Sequence, residues 1–208
     1  FRCNYNRAKW CNPCYSLIMP VTINGNGTIT GISAGGLPDG CITADDLASG
    51  AGGKILQVVQ ATKIDTQSIQ SQSFTDVSGM SVTITPTSAS SKILVMFSIS
   101  VGTIEYGMIN LVRGSSDIFK GNSTGNRVNC TVGAQRHYNY ETETISNTFL
   151  DSPNTTSATT YKLQAATPHD SSYYIYINRS HLDTDYAYVP RPVSSITVME
   201  VAAWARSN

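Results

Sequence analysis

The sequence predicts an all-β protein, an antiparallel β-sandwich of jelly-roll type, and three features of the chain lead to this prediction. Apolar and polar residues alternate with a period of two in many short runs, the pattern of half-buried strands. Glycine, proline, asparagine and aspartate separate these runs and mark turns. No repeat of fixed length is visible, which argues against a propeller or a solenoid. Short strands at this spacing are typical of a sandwich or a jelly roll.

The strongest predicted strand covers residues 92–101. Five apolar residues line one of its faces at a period of two, and Leu94 and Met96 make the other face apolar too, so we expect a central strand covered on both faces. A hairpin turn is predicted at 113–116. The other predicted strands are residues 55–61, 82–84, 108–112, 117–120, 128–132, 145–150, 158–165, 173–178 and 195–202.

Composition changes along the chain predict three segments. Residues 1–18 hold three of the five cysteines and form an extension of unclear role, either an upstream segment or part of a cleaved product. Residues 19–53 read as an attachment hairpin followed by a glycine-rich collar with one short helix at 43–47. Residues 54–208 form the predicted head domain, which is long enough to bury a core.

The charge content excludes several classes of partner. Charged residues make up 13% of the chain, against about 25% in an average soluble domain. The formal net charge is zero, so no long-range field would recruit nucleic acid or an anionic membrane. The longest apolar run, residues 93–97, falls far short of a membrane-spanning helix.

The motif with the sharpest chemical meaning is WCNPC at residues 10–14, which reads like a thioredoxin-type redox site. That chemistry needs a βαβ context, whereas here a hairpin and an all-β domain follow. A disulfide or free thiols among Cys3, Cys11 and Cys14 are favoured instead. A zinc site would need a fourth ligand, which Cys41 could supply. No metal or cofactor is predicted.

Other catalytic patterns carry little weight. No two of the three histidines stand at metal-ligand spacing. Glu141 and Glu143 would share a strand face, where a solvated edge is a more common role than a glycosidase pair. No catalytic residue is therefore predicted.

Tyrosine gives the more informative signal, because eight of the eleven tyrosines lie from Tyr138 onward. Tyrosine offers a large contact area with a hydroxyl group at low entropy cost, which suits recognition of a sugar or protein surface. Core filling and subunit packing are the competing roles. The predicted receptor-binding residues lie in two loops and are His137, Tyr138, Tyr140, His181, Asp183, Asp185, Tyr186 and Tyr188.

Several pieces of the chain, taken in order, resemble a known family. The run PVTINGNGTITGISAGGLPDGCITADDLASGAGGKILQVVQ is similar to the N-terminal part of tail-fibre and related virion proteins of marine and cyanobacterial bacteriophages. KILVMFSISVG, INLVRGSSDIFKG, TTYKLQA, YYIYINRS and PVSSITVMEVA resemble their terminal β-domain. The resemblance implies a trimeric β-sandwich displayed on the virion, attached at its base and binding a host at its tip. Residues 1–18 depart from the family pattern.

The function expected from the resemblance is that of a non-enzymatic virion protein, a short tail fibre, spike or fibre tip that binds a host cell-surface glycan or protein. The implied partners are two further copies of the chain and other virion proteins, the latter held through the N-terminal segment. A capsid decoration or head fibre is the alternative, and a polysaccharide depolymerase is a remote one, since such enzymes usually have longer repetitive bodies.

Overall fold

The computed structural model describes residues 22–23, 29–30, 54–134, 138–170 and 172–203. The chain divides into two compact units, Phe1–Ala48 and Ser49–Asn208. In the first unit, β1 (Thr22–Ile23) and β2 (Ile29–Thr30) pair antiparallel as the predicted hairpin. The predicted helix at 43–47 and the predicted disulfide or thiol residues Cys3, Cys11 and Cys14 lie outside the described residues.

The second unit is built from strands alone over its described residues. They are β3 (Ile55–Lys63), β4 (Gln67–Ile69), β5 (Thr75–Ile84), β6 (Lys92–Thr103), β7 (Gly107–Arg113), β8 (Ser116–Ile118), β9 (Val132–Ala134), β10 (Glu143–Asp151), β11 (Thr159–Ala166), β12 (Ile175–Ile177) and β13 (Ser194–Val201). None of the described residues is helical, so this part of the chain contains no helix that could cross a membrane.

These strands form two antiparallel sheets. In the first sheet, β10 pairs with one edge of β6, while β12 and β13 lie end to end along its other edge and pair in turn with β4 and β3. In the second sheet, β5 pairs with β11, β11 with β7, and β7 with both β8 and β9.

The order of the strands identifies the sandwich as a jelly roll. If β3 with β4, β8 with β9 and β12 with β13 are each counted as one row, the chain contributes eight rows. The first sheet then holds the first, eighth, third and sixth rows, and the second sheet holds the second, seventh, fourth and fifth. This arrangement is two Greek keys closed over one core. The predicted fold class is confirmed.

The core lies between the sheets and follows the period of two. On β6, the alternate residues Ile93, Val95, Ile99 and Val101 are fully buried, and the second sheet supplies Ile109, Leu111, Tyr161 and Leu163. Along one side of the sandwich, Phe119 stacks on Phe149 with ring centroids 4.6 Å apart. This ring pair links β10, an edge strand of the first sheet, to the segment that follows β8 in the second.

Three of the differences from the sequence prediction have a local cause. Strand β4 was not predicted, because three residues are too few to show a period. Strand β5 begins seven residues before the predicted start at 82, since Gly79, with a φ of 76°, interrupts the alternation. Residues 128–131 are not in a strand; there, Oγ1 of Thr131 accepts a hydrogen bond from the Leu111 amide at 2.8 Å in place of a backbone carbonyl.

Candidate functional site

Two loops leave the first sheet at the same place. The β9–β10 loop, described from Tyr138, leads into Glu143, and the β12–β13 loop, residues 179–193, begins two residues after Ile177. Glu143 and Ile177 both pair with Val101, on opposite edges of β6. The two loops therefore start side by side, and the amide of Leu182 donates a hydrogen bond to the carbonyl of Asn139 at 2.8 Å.

Buried polar side chains fix the base of the β12–β13 loop. Asn178 has a φ of 59°, a left-handed conformation that asparagine tolerates better than most residues. Its Nδ2 donates to the carbonyls of Lys63 at 2.7 Å and Asp65 at 3.0 Å. Its Oδ1 accepts a hydrogen bond from Oγ of Ser194. The same Ser194 Oγ accepts a hydrogen bond from the amide of Ser100. These hydrogen bonds fix the two ends of the loop, where the chain leaves the sheet and returns to it.

Aromatic and cationic side chains pack in a layer between this loop and the outer face of the first sheet. The guanidinium of Arg179 lies 4.3 Å from the ring centroid of Tyr176, a cation–π geometry. Tyr174 stacks on the same Tyr176 ring at 5.6 Å, and the His181 ring lies 5.4 Å from it. Burial raises the pKa of Tyr176, although the Arg179 charge opposes this effect.

Glycine at position 102 lets the loop come this close to the sheet. Gly102 pairs with Tyr176 across β6 and β12. A Cβ atom at this position would lie 2.5 Å from the carbonyl oxygen of Arg179 and 2.9 Å from Cα of Ser180. Because both are backbone atoms, they could not move aside without moving the loop itself.

Further out, the two loops together form an aromatic cluster of Tyr140, Tyr186 and Tyr188. The Tyr186 and Tyr188 rings stack with centroids 5.2 Å apart, and the Tyr140 ring meets them edge-on at 6.3 Å and 5.7 Å. Tyr188 is 67% exposed and Tyr186 49% exposed, and Tyr138, two residues before Tyr140, is 81% exposed. The two stacked rings present a rigid apolar surface to the solvent.

The β12–β13 loop also carries a group of charged side chains around Asp183. The carboxylate of Asp183 accepts hydrogen bonds from Arg191 at 2.6 Å and Arg179 at 3.5 Å. Arg179 also donates to the carbonyls of Ser180 and His181. Two guanidinium groups thus hold one carboxylate at the surface, where oxygen acceptors and nitrogen donors can serve a polar ligand.

The structure brings most of the predicted receptor-binding residues together. Tyr138 and Tyr140 come from one loop, and His181, Asp183, Asp185, Tyr186 and Tyr188 come from the other. His181 lies in the inner layer, where its Nδ1 is buried with no hydrogen-bond partner among the described residues. Asp185 is exposed, and His137 lies outside the described residues.

Sequence reasoning did not find Arg179 and Arg191. Both support the site through Asp183, and Arg179 also covers the Tyr176 ring. The sequence signal for Arg179 is its position just after the alternating pair Tyr174 and Tyr176, which indicates a cation beside a tyrosine-rich strand face.

A second polar cluster lies at the opposite end of the sandwich, and its role is structural. Nη1 of Arg113 donates to both carboxylate oxygens of Asp151, at 2.9 Å and 2.8 Å. The hydroxyl of the buried Tyr161 donates to Asp151 at 2.7 Å. Burial and the Asp151 carboxylate raise the pKa of Tyr161 well above its usual range. Among the described residues, no group of three histidines, cysteines or carboxylates could hold a metal ion.

Comparison with known proteins shows no family for this chain. No family model and no curated protein matches the sequence. One solved structure that matches is described as the structure of infectious bursal disease virus, Gx strain. It is 12% identical, the match covers 71% of this chain and 37% of that chain, and the TM-score is 0.33. A likeness at this level carries no functional argument, and the resemblance to phage fibre proteins stays a prediction.

Proposed function

We propose that this chain is a non-enzymatic virion surface protein, a short tail fibre, spike or fibre tip whose jelly-roll head binds a glycan on the host cell surface. The observation that carries the proposal is the aromatic cluster, formed where two loops meet, in which the half-buried Tyr140 packs against the exposed Tyr186 and Tyr188. We further propose that the head works as a homotrimer and that the N-terminal segment attaches it to other virion proteins.

The chemistry of the cluster suits a carbohydrate. A sugar ring has C–H faces that can lie against exposed aromatic rings, and hydroxyl groups around its rim. Tyrosine rings supply rigid contact area, while Asp183 and Arg191 of the same loop supply an acceptor and a donor. A few polar groups placed around an apolar platform are the usual means of orienting a ligand.

The design of the loops also supports a binding role. The β12–β13 loop is anchored at its base by Asn178, and Arg179 holds the next two residues through their carbonyls. A loop held in this way loses little conformational entropy on binding, which favours affinity. Binding residues on loops positioned by a rigid scaffold are a common arrangement.

The test is binding of the purified full chain to host cells and to a panel of surface glycans. We expect Tyr186→Ala and Tyr188→Ala each to weaken binding at least tenfold, because each removes a stacking platform of about 1.4 kcal/mol or more. Tyr106→Ala is the matched control, since Tyr106 is 57% exposed and contacts His169 rather than the cluster. Unchanged binding by both cluster variants would contradict the glycan site.

Two other functions are distinguished by direct observation. A capsid-decoration role is favoured by the exposed apolar residues of the first sheet, such as Val58 and Leu150, and density for the chain on the capsid rather than the tail would support it.

A depolymerase would release sugar from host polysaccharide, and this activity would be lost in Glu141→Gln or Glu143→Gln. Glu141 lies in the β9–β10 loop beside the cluster, so the polysaccharide assay belongs with the binding assay.

A further inference from the structure

The outer face of the first sheet, which points away from the second sheet, carries a row of apolar side chains across all four rows of strands. The strand register aligns Leu150 of β10 with Leu94 of β6, Leu94 with Met199 of β13, and Met199 with Val58 of β3. These positions alternate with the core residues of each strand, so they lie on the face opposite the core. We call these four residues the apolar row.

Among the described residues, nothing fully covers the apolar row. Val58 is 54% exposed and Leu150 is 53% exposed, while Leu94 and Met199 are partly exposed. Beside it, Ile55 pairs with Val201 and is 57% exposed. On its outer face, β6 is covered at the Gly102 end by the β12–β13 loop, while Leu94 and Met96 stay partly exposed among the described residues. The expectation that β6 is covered on both faces is thus met only in part. A contiguous apolar patch of this kind marks an interaction surface.

The scarcity of charged residues on this face argues against a polar or charged partner. Among the described outward positions of this sheet, the charged residue next to the row is Lys92, and its Nζ donates to Oγ of Ser152 at 2.7 Å. The apolar side chains of the row offer no hydrogen-bond partner to a glycan or a charged protein, whose polar groups would lose water without replacement. A second copy presents the same apolar row, and because the chain has a net charge of zero, long-range repulsion does not oppose its approach.

The dimensions of the face also fit self-assembly. Four strands spaced about 4.8 Å apart and about 30 Å long make a face of roughly 600 Å² in plan, before side-chain relief is counted. Stable protein interfaces bury about 800 Å² on each partner. The row runs from one edge strand to the other, so a neighbouring copy could lie on it from either side.

We propose that the apolar row is the surface on which a second copy of this chain docks. This inference rests on the self-assembly included in the proposed function and names the surface that performs it. It is independent of the aromatic cluster, which lies toward the other end of β6, near Gly102.

The test is the molar mass of the full chain in solution, measured by size-exclusion chromatography with light scattering. We expect the wild type to have a multiple of 22.4 kDa. Val58→Lys and Leu150→Lys should each shift the mass to that of one chain, because each places a charge in the interface. Val128→Lys is the control, since Val128 is an exposed valine in the β8–β9 loop, on the second sheet, and its mass should stay that of the wild type.

Circular dichroism and thermal unfolding establish that each variant is folded. If a lysine variant does not fold, Val58→Thr and Leu150→Thr take its place, since threonine keeps strand propensity while removing apolar area. These two should raise the concentration at which the assembly dissociates by at least tenfold. A wild-type monomer at every concentration, or variants that keep the wild-type mass, would overturn the inference.

The two proposals fail in different ways. A monomeric Val58→Lys protein that still adsorbs to host cells, while Tyr186→Ala does not, would keep the receptor role and the docking surface separate. Loss of the glycan site leaves the mass of the assembly unchanged, and loss of the assembly leaves the folded aromatic cluster in place.

Discussion

At the scale of single residues, the sandwich depends on a few buried polar groups that have full sets of hydrogen bonds. Glu200 of β13 is 0% exposed. Its carboxylate accepts hydrogen bonds from Nε2 of Gln57 at 2.6 Å, and from the amide and hydroxyl of Thr87 at 2.8 Å and 2.7 Å. Burial by itself would raise the pKa of Glu200, but the hydrogen bonds from Gln57 and Thr87 outweigh it and lower the pKa to about 2.

This carboxylate gives a prediction about stability against pH. Because the pKa of Glu200 is lower in the folded chain than in the unfolded chain, its contribution is complete above about 4.3, the pKa of a free glutamate. The contribution is lost as the pH falls toward about 2. Denaturant unfolding at several pH values should show this loss in the wild type and a shallower slope in Glu200→Gln.

At neutral pH, Glu200→Gln should cost about 1–3 kcal/mol, since the buried charge-assisted hydrogen bonds become weaker or unmatched. Glu141→Gln changes an exposed carboxyl group and serves as the control, with stability close to that of the wild type. An equal pH slope in Glu200→Gln and wild type would show that this carboxylate does not carry the effect.

At the scale of elements, the close packing of the β12–β13 loop on β6 decides the shape of the candidate site. The loop backbone at Arg179 and Ser180 occupies the space that a side chain at position 102 would fill. The Tyr176 ring beneath Arg179 and the hydrogen bond from Leu182 to Asn139 then fix the direction of the loop. The aromatic cluster exists because this packing brings together two loops that are distant in sequence.

We therefore expect Gly102→Ala to displace the loop. Overpacking of this kind costs about 1–3 kcal/mol, and the displaced loop should lose its protection from hydrogen exchange in residues 179–191 and weaken glycan binding. Gly133→Ala is the matched control, because a Cβ at Gly133 would meet nothing within 4 Å. Gly102→Ala with wild-type exchange and stability would mean that the loop adapts without cost.

At the scale of the whole molecule, the jelly roll is held together by contacts between distant parts of the chain. Strand β3 at the start of the head pairs with β13 at its end, so that Lys63 is opposite Ser194. Among the strand pairs of the head, β7 with β8 is joined by a short turn, at Gly114 with a φ of 60°. Most other pairings require a long loop to close first.

Such a topology folds slowly, because the entropy of closing long loops is lost before the pairings form. In stopped-flow refolding after dilution from denaturant, we expect a main phase on the order of milliseconds to seconds. A later phase whose rate rises with protein concentration would report assembly of the copies. Complete refolding within microseconds would be inconsistent with this order of strands.

The sequence by itself determined the fold class, the position of most strands and the loops that carry the candidate site. These follow from local chemistry: the period of two in residues 92–101, the turn residues between runs, and the tyrosines near positions 138–140 and 186–188. Each of these signals lies within a few residues of the chain, and so a reader of the sequence can see it.

Only the tertiary structure decided which strands pair, that the two tyrosine loops meet, and that Arg179, Asn178 and Glu200 hold them and the sheet in place. Pairing in a jelly roll joins residues more than a hundred positions apart, and no local pattern encodes those partners. A buried glutamate or asparagine reads as a surface residue in the sequence, because its hydrogen-bond partners are supplied by other strands. The sequence also predicted that the whole outer face of β6 is covered, whereas among the described residues its apolar row is partly exposed.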